Sequence, residues 1–248
     1  MSLPSSEPVR LSKRVAELMR CSRREAELYI EGGWVSVDGA VVEQPQFRVQ
    51  DQRVEVSPEA RPEALGPVTL LLHKPAGAEA GLGRLPQSQP AASWLTPEHA
   101  AEDMGRPLLA HLRHQELVAP LAPRASGLVV FTQDGRIARK LREDALLLEH
   151  EVLVQVSGTP TEGALERLNR PDHGLALDGR LLGPCKVSWQ NETTLRFALK
   201  GERPGQLAFF CEHLGLAVQG MRRIRIGRVA LARLPVGQWR YLLPHERF

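Results

Sequence analysis

Few residues in this 248-residue chain are of a type and spacing that could do chemistry. Cys21, Cys185 and Cys211 lie far apart with no Cys-x-x-Cys, which argues against both a disulfide framework and a zinc site. His111 and His114 stand three apart, but no third ligand is near them, so they read as surface histidines. The carboxylates Asp103, Glu116 and Asp134 flank a stretch of small residues, Ala119-Pro120-Leu121-Ala122-Pro123-Arg124-Ala125-Ser126-Gly127, that contains no acid of its own. Acid–base or nucleophilic work needs such a group held against the substrate. Neither a metal nor a cofactor is expected.

The elements around that stretch are legible. It runs into a β-branched apolar strand, Leu128 to Thr132, closed by the turn signal Asp134-Gly135. Ala125-Ser126-Gly127 places small residues where another backbone or a ligand can come close. A buried strand, Val68 to Leu72, is predicted upstream, followed by His73-Lys74-Pro75-Ala76-Gly77. Residues 78 to 118 read as a loop, with a short helix over Ser93 to Ala101 interrupted at Pro97. Downstream, Ile137, Ala138, Leu141 and Leu146 predict a helix, and His150 to Val156 alternates as a strand. Ala164 to Leu168 is a second helix; Asp178-Gly179 is a turn before strands at Cys185 to Trp189 and Thr193 to Leu199.

The amino-terminal part has a different plan. Residues 1–8 are polar with two prolines and are expected to be disordered. Leu11, Val15, Leu18 and Met19 predict a helix over 11–19. Ser22-Arg23-Arg24-Glu25 is a capping box that starts a second helix, which Gly32-Gly33 ends. Trp34 to Val37, the turn Asp38-Gly39 and Ala40 to Val42 make a hairpin, and Arg53 to Val56 adds a strand. A Pro-rich, mixed-charge linker follows, at which two domains are expected to part. The boundaries are 9–57 for the first domain, 58–66 for the linker and 67–248 for the second.

Net charge is only +3, but it is uneven. Residues 10 to 24 hold six cations (Arg10, Lys13, Arg14, Arg20, Arg23 and Arg24) against Glu17, a local +5. From Arg196 onward ten cations face three acids, a local +7. Two basic surfaces suit a polyanion such as RNA, and solvated faces are the alternative. No run of eighteen apolar residues occurs, so no membrane span is expected. The first residues lack the plan of a secretory signal, which makes a cytoplasmic protein the default.

Residues 9 to 57 resemble the small RNA-binding domain first described in ribosomal protein S-four, most specifically at Ser22 to Ala26 and Gly33 to Gly39. The rest resembles ribosomal RNA pseudouridine synthases of the RsuA/RluB type. Their active-site motif reads roughly Gly-Arg-Leu-Asp-x-x-Thr-Ser-Gly-Leu, a strand, then Thr-Asn-Asp-Gly. Aligned without gaps on Ser126-Gly127-Leu128, the family's aspartate falls on Ala122, its arginine on Pro120 and its glycine on Ala119. Strand plus Lys74-Pro75-Ala76-Gly77 matches the family's Lys-Pro-x-Gly opening. The family's Lys-x-Tyr, whose tyrosine stacks on the target base, falls on His150 and Val152. In Gln206-Leu207-Ala208-Phe209-Phe210 the glutamine of its Gln-[Val/Ile]-Arg-Arg-Met helix is kept and the first basic residue is Ala208. Met221 to Gly227 matches its Leu-x-Arg-x-x-Ile-Gly strand.

The resemblance implies an α+β chain, with a small RNA-binding domain followed by a mixed, mainly antiparallel synthase-like domain. It implies chemistry without metal or cofactor, in which an aspartate acts on a flipped uridine and the uracil is rejoined through C5. Flipping needs an aromatic platform and a basic anchor. Nucleophile, platform and anchor are replaced here by Ala122, Val152 and Ala208. The reading is therefore an RNA-binding protein of the synthase family with impaired catalysis, with ribosomal RNA as its expected partner, monomeric and not membrane-bound. Two alternatives stay open. One is an active synthase with an unorthodox carboxylate; the other is a protein-binding module whose emptied site (Ala122, Val152, Ala208, Phe209 and Phe210) receives a partner chain. The residues assigned to RNA are Arg10, Lys13, Arg14, Arg20, Arg23, Arg24, Lys74, Arg223 and Arg225.

Overall fold

Ser22 starts its helix as the capping box requires. Its hydroxyl accepts from the Glu25 N–H at 3.2 Å, and the Glu25 carboxylate accepts from the Ser22 N–H at 2.8 Å. The computed structural model describes residues 7–248, so residues 1–6 of the segment expected to be disordered lie outside the described residues. β1 (Val9–Arg10) leads into α1 (Leu11–Met19) and α2 (Arg23–Glu31). Then come β2 (Val35–Val37), β3 (Ala40–Val41), β4 (Arg48–Val49) and β5 (Val54–Val56). Strands β3, β2 and β5 form one antiparallel sheet, and β1 pairs with β4. Leu11, Val15, Ala26, Ile30, Val35, Val37 and Val49 make the core. Leu18 and Met19, expected on the apolar face, are exposed. They occupy the last turn before Arg20, whose left-handed conformation (φ 52°) ends the helix.

The chain divides into two compact units, and the first takes more than the residues up to Pro67: it also includes Arg106–Arg113. Glu43 is the reason. Its side chain is buried, with the residue only 5 % exposed. The carboxylate accepts from the Leu109 N–H at 2.6 Å and from the Arg106 guanidinium at 3.0 Å. Leu109 opens the short helix α3 (Leu109–Leu112), so its N–H has no partner within the helix. A buried carboxylate is thus met by a cation and an otherwise orphaned donor, the pairing that burial of charge demands. The composition of residues 78 to 118 does not announce this return, and the sequence boundary ran it into the second domain.

The second unit is built on a nine-stranded sheet. Its strands are β6 (Thr69–Lys74), β7 (Glu116–Leu117), β8 (Ser126–Thr132), β9 (Glu149–Ser157), β12 (Cys185–Asn191), β13 (Thr194–Lys200), β14 (Ala217–Ile226), β15 (Val229–Ala230) and β16 (Trp239–Tyr241). Along the sheet the order is β12-β13-β9-β14-β8-β6-β16, with β7 beside β8 and β15 beside β14. Every pairing in it is antiparallel except β14 with β8, which runs parallel. The α+β class and the mainly antiparallel sheet are as the resemblance implies. A separate hairpin, β10 (Ala176–Leu177) and β11 (Arg180–Leu181), turns at Asp178-Gly179, both at positive φ.

Alternation on β9 and β13 is read out as burial. Val152, Val154, Val156, Leu195, Phe197 and Leu199 pack with Ala164 and Leu168 of α5 (Ala164–Leu168) and Leu207, Phe210 and Cys211 of α6 (Gln206–His213). Leu71, Leu128 and Val130 pack with Ala138 and Leu141 of α4 (Gly135–Glu143). That helix stops at Glu143, so Leu146, predicted as part of its apolar face, is exposed. Around Pro97 the predicted short helix is two 3-10 turns, Ala91–Trp94 and Pro97–His99. Among the described residues no helix is long and apolar enough to cross a membrane.

Because Arg106–Arg113 packs with the first unit, cutting residues 58–66 leaves this noncovalent hold between the two fragments in place. After protease nicking there, the two fragments are expected to co-elute on native gel filtration, and to separate once Glu43→Ala removes the anchor. Separation of the nicked wild-type protein would show that this segment does not hold.

A candidate site on a loop held by its carbonyls

The stretch Ala119 to Ala125 joins β7 to β8, and its backbone is held by two buried cations. Arg223, on β14, donates from Nε to the Leu128 carbonyl at 2.8 Å. Its terminal nitrogens donate to Pro120 at 2.9 Å and Ala119 at 2.7 Å. Lys74, the last residue of β6, donates from Nζ to the carbonyls of Pro75 (3.0 Å), Ala78 (2.8 Å) and Pro123 (3.1 Å). The Gly77 N–H also reaches Pro123 O at 2.8 Å, and the Leu121 N–H reaches Ala80 O at 2.8 Å. The small residues before β8 serve the approach of a backbone. Gly127 has φ +116°, and a Cβ there would lie 2.3 Å from Arg223 O. This close approach is where β8 and β14 run parallel, with Gly127 opposite Arg223.

Both cations are almost free of solvent contact, Lys74 at 0 % and Arg223 at 3 % exposure. Burial first, and the neighbouring Arg223 charge second, push the Lys74 ammonium down to about 8. Burial likewise lowers Arg223, and Glu202 acts in the opposite direction. Glu202 is half-buried, and its carboxylate lies 3.7 Å from His150 Nδ1. No sequence signal singled out Glu202.

The residues assigned to RNA divide by unit. In the first unit Arg10, Lys13, Arg20, Arg23 and Arg24 are exposed on or beside α1 and α2. Arg23 makes an exposed pair with Glu27 at 3.4 Å, a contact of little energetic weight. Arg14 is half-buried and donates to Gln50 O at 3.0 Å. In the second unit the assignment needs correction. Lys74 and Arg223 spend their donors on carbonyls beneath the loop and present no surface to a ligand. Arg225 is held by Glu149 and Glu151, the latter at 2.7 Å, and Arg196 shares Glu151 at 3.1 Å. The Arg225 hydrogen bond is the main cause that keeps the Glu151 carboxyl below its ordinary range.

The positions that the resemblance aligns with nucleophile, platform and anchor differ in burial. Ala122 is exposed in a turn closed by the Ala125 N–H to Ala122 O bond (3.1 Å), and Ala208 is exposed in the first turn of α6. Val152, at 2 % exposure, is a core residue between Phe197 and Arg223 on the neighbouring strands. Phe210 is fully buried and stacks on Phe197 at 6.3 Å. Of the five residues named for a protein partner, Ala122 and Ala208 are exposed, Phe209 is half-buried, and Val152 and Phe210 are buried.

The flanking carboxylates are engaged elsewhere. Asp134 caps α4 through the Arg136 N–H at 2.8 Å, and Glu116 pairs with Arg142. Glu116 sits opposite Thr132, at the end of β8 remote from Ser126. The Asp103 side chain lies outside the described residues. Among the described residues no group of three His, Cys, Asp or Glu is placed to hold a metal ion.

Comparison with known proteins gives this geometry a context. Residues 9–54 match the S4 domain model. The chain is 29% identical over 244 residues to the dual-specificity RNA pseudouridine synthase RluF of Escherichia coli K12, covering 98% of this chain and 78% of the relative. It is 26% identical over 249 residues to the ribosomal large subunit pseudouridine synthase B of Bacillus subtilis, covering 96% and 93%. A crystal structure of a pseudouridylate synthase superposes with a TM-score of 0.57 at 20% identity, covering 95% of this chain and 96% of that one, a likeness of fold.

The Lys74 shift has a measurable consequence. An unfolded lysine keeps the ordinary value near 10.5, so between about 8 and 10.5 the unfolded chain holds a proton that the folded chain has lost. Stability contributed at Lys74 therefore rises with pH across that window. The melting temperature of the wild type, relative to Lys74→Met, is expected to climb from about pH 7.5 to about pH 9.5. A flat or falling difference would mean that the three carbonyls keep the ammonium charged.

Proposed function

We propose that this chain, an S4-domain protein homologous to RNA pseudouridine synthases of the RluF and RluB type, binds structured RNA in the cytoplasm, ribosomal RNA foremost, and does not isomerise uridine. One observation carries the second half of that reading. The loop Ala119 to Ala125 is held in place, yet it displays a methyl group at Ala122 and bears no carboxylate. A methyl group can neither take a proton nor form a bond to the sugar or base. The platform position, Val152, is part of the core, and the anchor position, Ala208, cannot pair with a phosphate.

Restoring the chemistry is correspondingly hard. Ala122→Asp places an acid on an exposed turn and should leave the fold intact, but it supplies no platform and no anchor. Val152→Tyr must fit a ring and a hydroxyl into a packed site beside Phe197, an overpacking that typically costs about 1–3 kcal/mol. The triple variant with Ala208→Arg is therefore expected to lose stability before it gains more than a trace of activity. Pseudouridine formation is mass-silent, so the assay is tritium release from C5-labelled uridine in bound RNA. No release above the protein-free rate is expected from the wild type. Release that Glu202→Gln abolishes would hand the role of the missing acid to Glu202, the carboxylate that acts on Arg223, and make the protein an active synthase.

RNA binding rests on the exposed cations of α1 and α2 and on the S4-domain match. Arg23→Glu with Arg24→Glu is expected to weaken affinity roughly ten- to a hundred-fold, at about 1 kcal/mol per reversal. The dependence of affinity on salt should become shallower as well. Unchanged affinity in a folded variant would move the site off these helices.

A further inference from the structure

Six phenylalanines occur in the chain, and Phe47 is the one whose side chain is exposed, at 40 %. It is also the only phenylalanine of the first unit, whose small core is built without it. A single exposed apolar residue is ordinary, but this one is placed and surrounded unusually. The Phe47 carbonyl accepts from the Leu11 N–H at 2.7 Å, and the Phe47 N–H donates to Gln44 O at 3.0 Å. Pro45 O accepts from Ser12 N–H at 3.1 Å, so the turn carrying Phe47 is fastened to the start of α1. Its neighbour Arg48 pairs across β1 and β4 with Arg10, and both arginines are exposed. The next residue, Val49, is buried in the core and fixes the strand from the inside. The aromatic ring is thus exposed on a fastened turn, next in sequence to Arg48, whose guanidinium also donates to Pro8 O at 3.1 Å, and close along the chain pairing to Arg10.

We infer that Phe47 is a stacking platform for an unpaired RNA base, with the paired, exposed arginines Arg10 and Arg48 next to its turn contacting the adjoining phosphates. The inference rests on the RNA-binding reading and deepens it from charge recognition to recognition of a single-stranded or looped nucleotide. A phenyl ring has no hydrogen-bonding atoms, so it offers a base only its face. That interaction is available to any base, and it is closed to a base enclosed in a duplex. Flanking guanidinium groups add the backbone charge contacts that stacking lacks. An apolar protein partner would find two exposed arginines beside this residue, whereas a nucleic acid finds both of its chemistries met.

The test uses the full chain and two fluorescein-labelled RNAs, a hairpin with an unpaired loop and a blunt duplex of the same stem, titrated at several salt concentrations. Phe47→Ala and Phe47→Leu are expected to weaken binding to the hairpin roughly five- to a hundred-fold. Duplex affinity should stay within about two-fold, and the salt dependence should not change because no cation is removed. Phe47→Trp should retain or improve hairpin affinity. Folded Phe47→Ala and Phe47→Leu proteins that bind the hairpin like the wild type would overturn the inference while leaving RNA binding intact; so would an equal loss on both RNAs. A wild-type protein that binds neither RNA would overturn the RNA-binding reading itself, and this inference with it.

Discussion

The buried guanidinium of Arg223 is the contact on which the second unit depends. It gathers the carbonyls of Ala119, Pro120 and Leu128, which belong to the loop and to the strand that follows it. Its own backbone lies so close to Gly127 that any side chain there would collide with it. Side chain and main chain of one residue therefore fasten β14 to β8 at the parallel junction of an otherwise antiparallel sheet. Removing the guanidinium would strand three carbonyls, each costing about 1–3 kcal/mol if left dry. Lys74 performs the matching task from β6. Two like charges in one poorly solvated region repel each other, and the carbonyl dipoles offset much of that cost.

Every one of these contacts is to the backbone. No side chain between Ala119 and Ala125 is needed to shape the loop, apart from the prolines' own restriction of φ. A scaffold held in this way does not depend on the exposed side chain of residue 122. Ala122 and Ala208 are exposed, and a small side chain at either position leaves no buried group unpartnered. Val152 is different, because it belongs to the packed interior and its identity is constrained by Phe197 and Arg223. Of the three positions that the family resemblance aligns with nucleophile, platform and anchor, two are exposed and free of the architecture, and the third is part of it.

How much of this was legible depended on how local each cause is. The capping box at Ser22, the turn at Asp178-Gly179 and the apolar runs of β6 and β8 declare themselves within a few residues. So does the absence of an acid from the central loop. The roles of Lys74 and Arg223 are not local. A cation in a sequence looks the same whether it faces solvent or a cluster of carbonyls, and both were assigned to RNA. Leu146 misled for a related reason: periodicity continued past Glu143, while the helix did not. Glu43 and Phe47 carry no motif. One is buried and the other exposed against the tendency of its type, and burial is decided by residues far along the chain.

The bond from Leu109 to Glu43 spans 66 positions and sets an order of events during synthesis. As the polypeptide leaves the ribosome, α1, α2 and the strands around them emerge well before residues 106 to 113 exist. Until those residues arrive, the Glu43 carboxylate has only water to satisfy it, and the ground they will cover stays open. The first unit therefore reaches its finished form only after β6 and the segment behind it have been made. Nascent chains halted short of Arg106 would display a domain that is already recognisable and still incomplete.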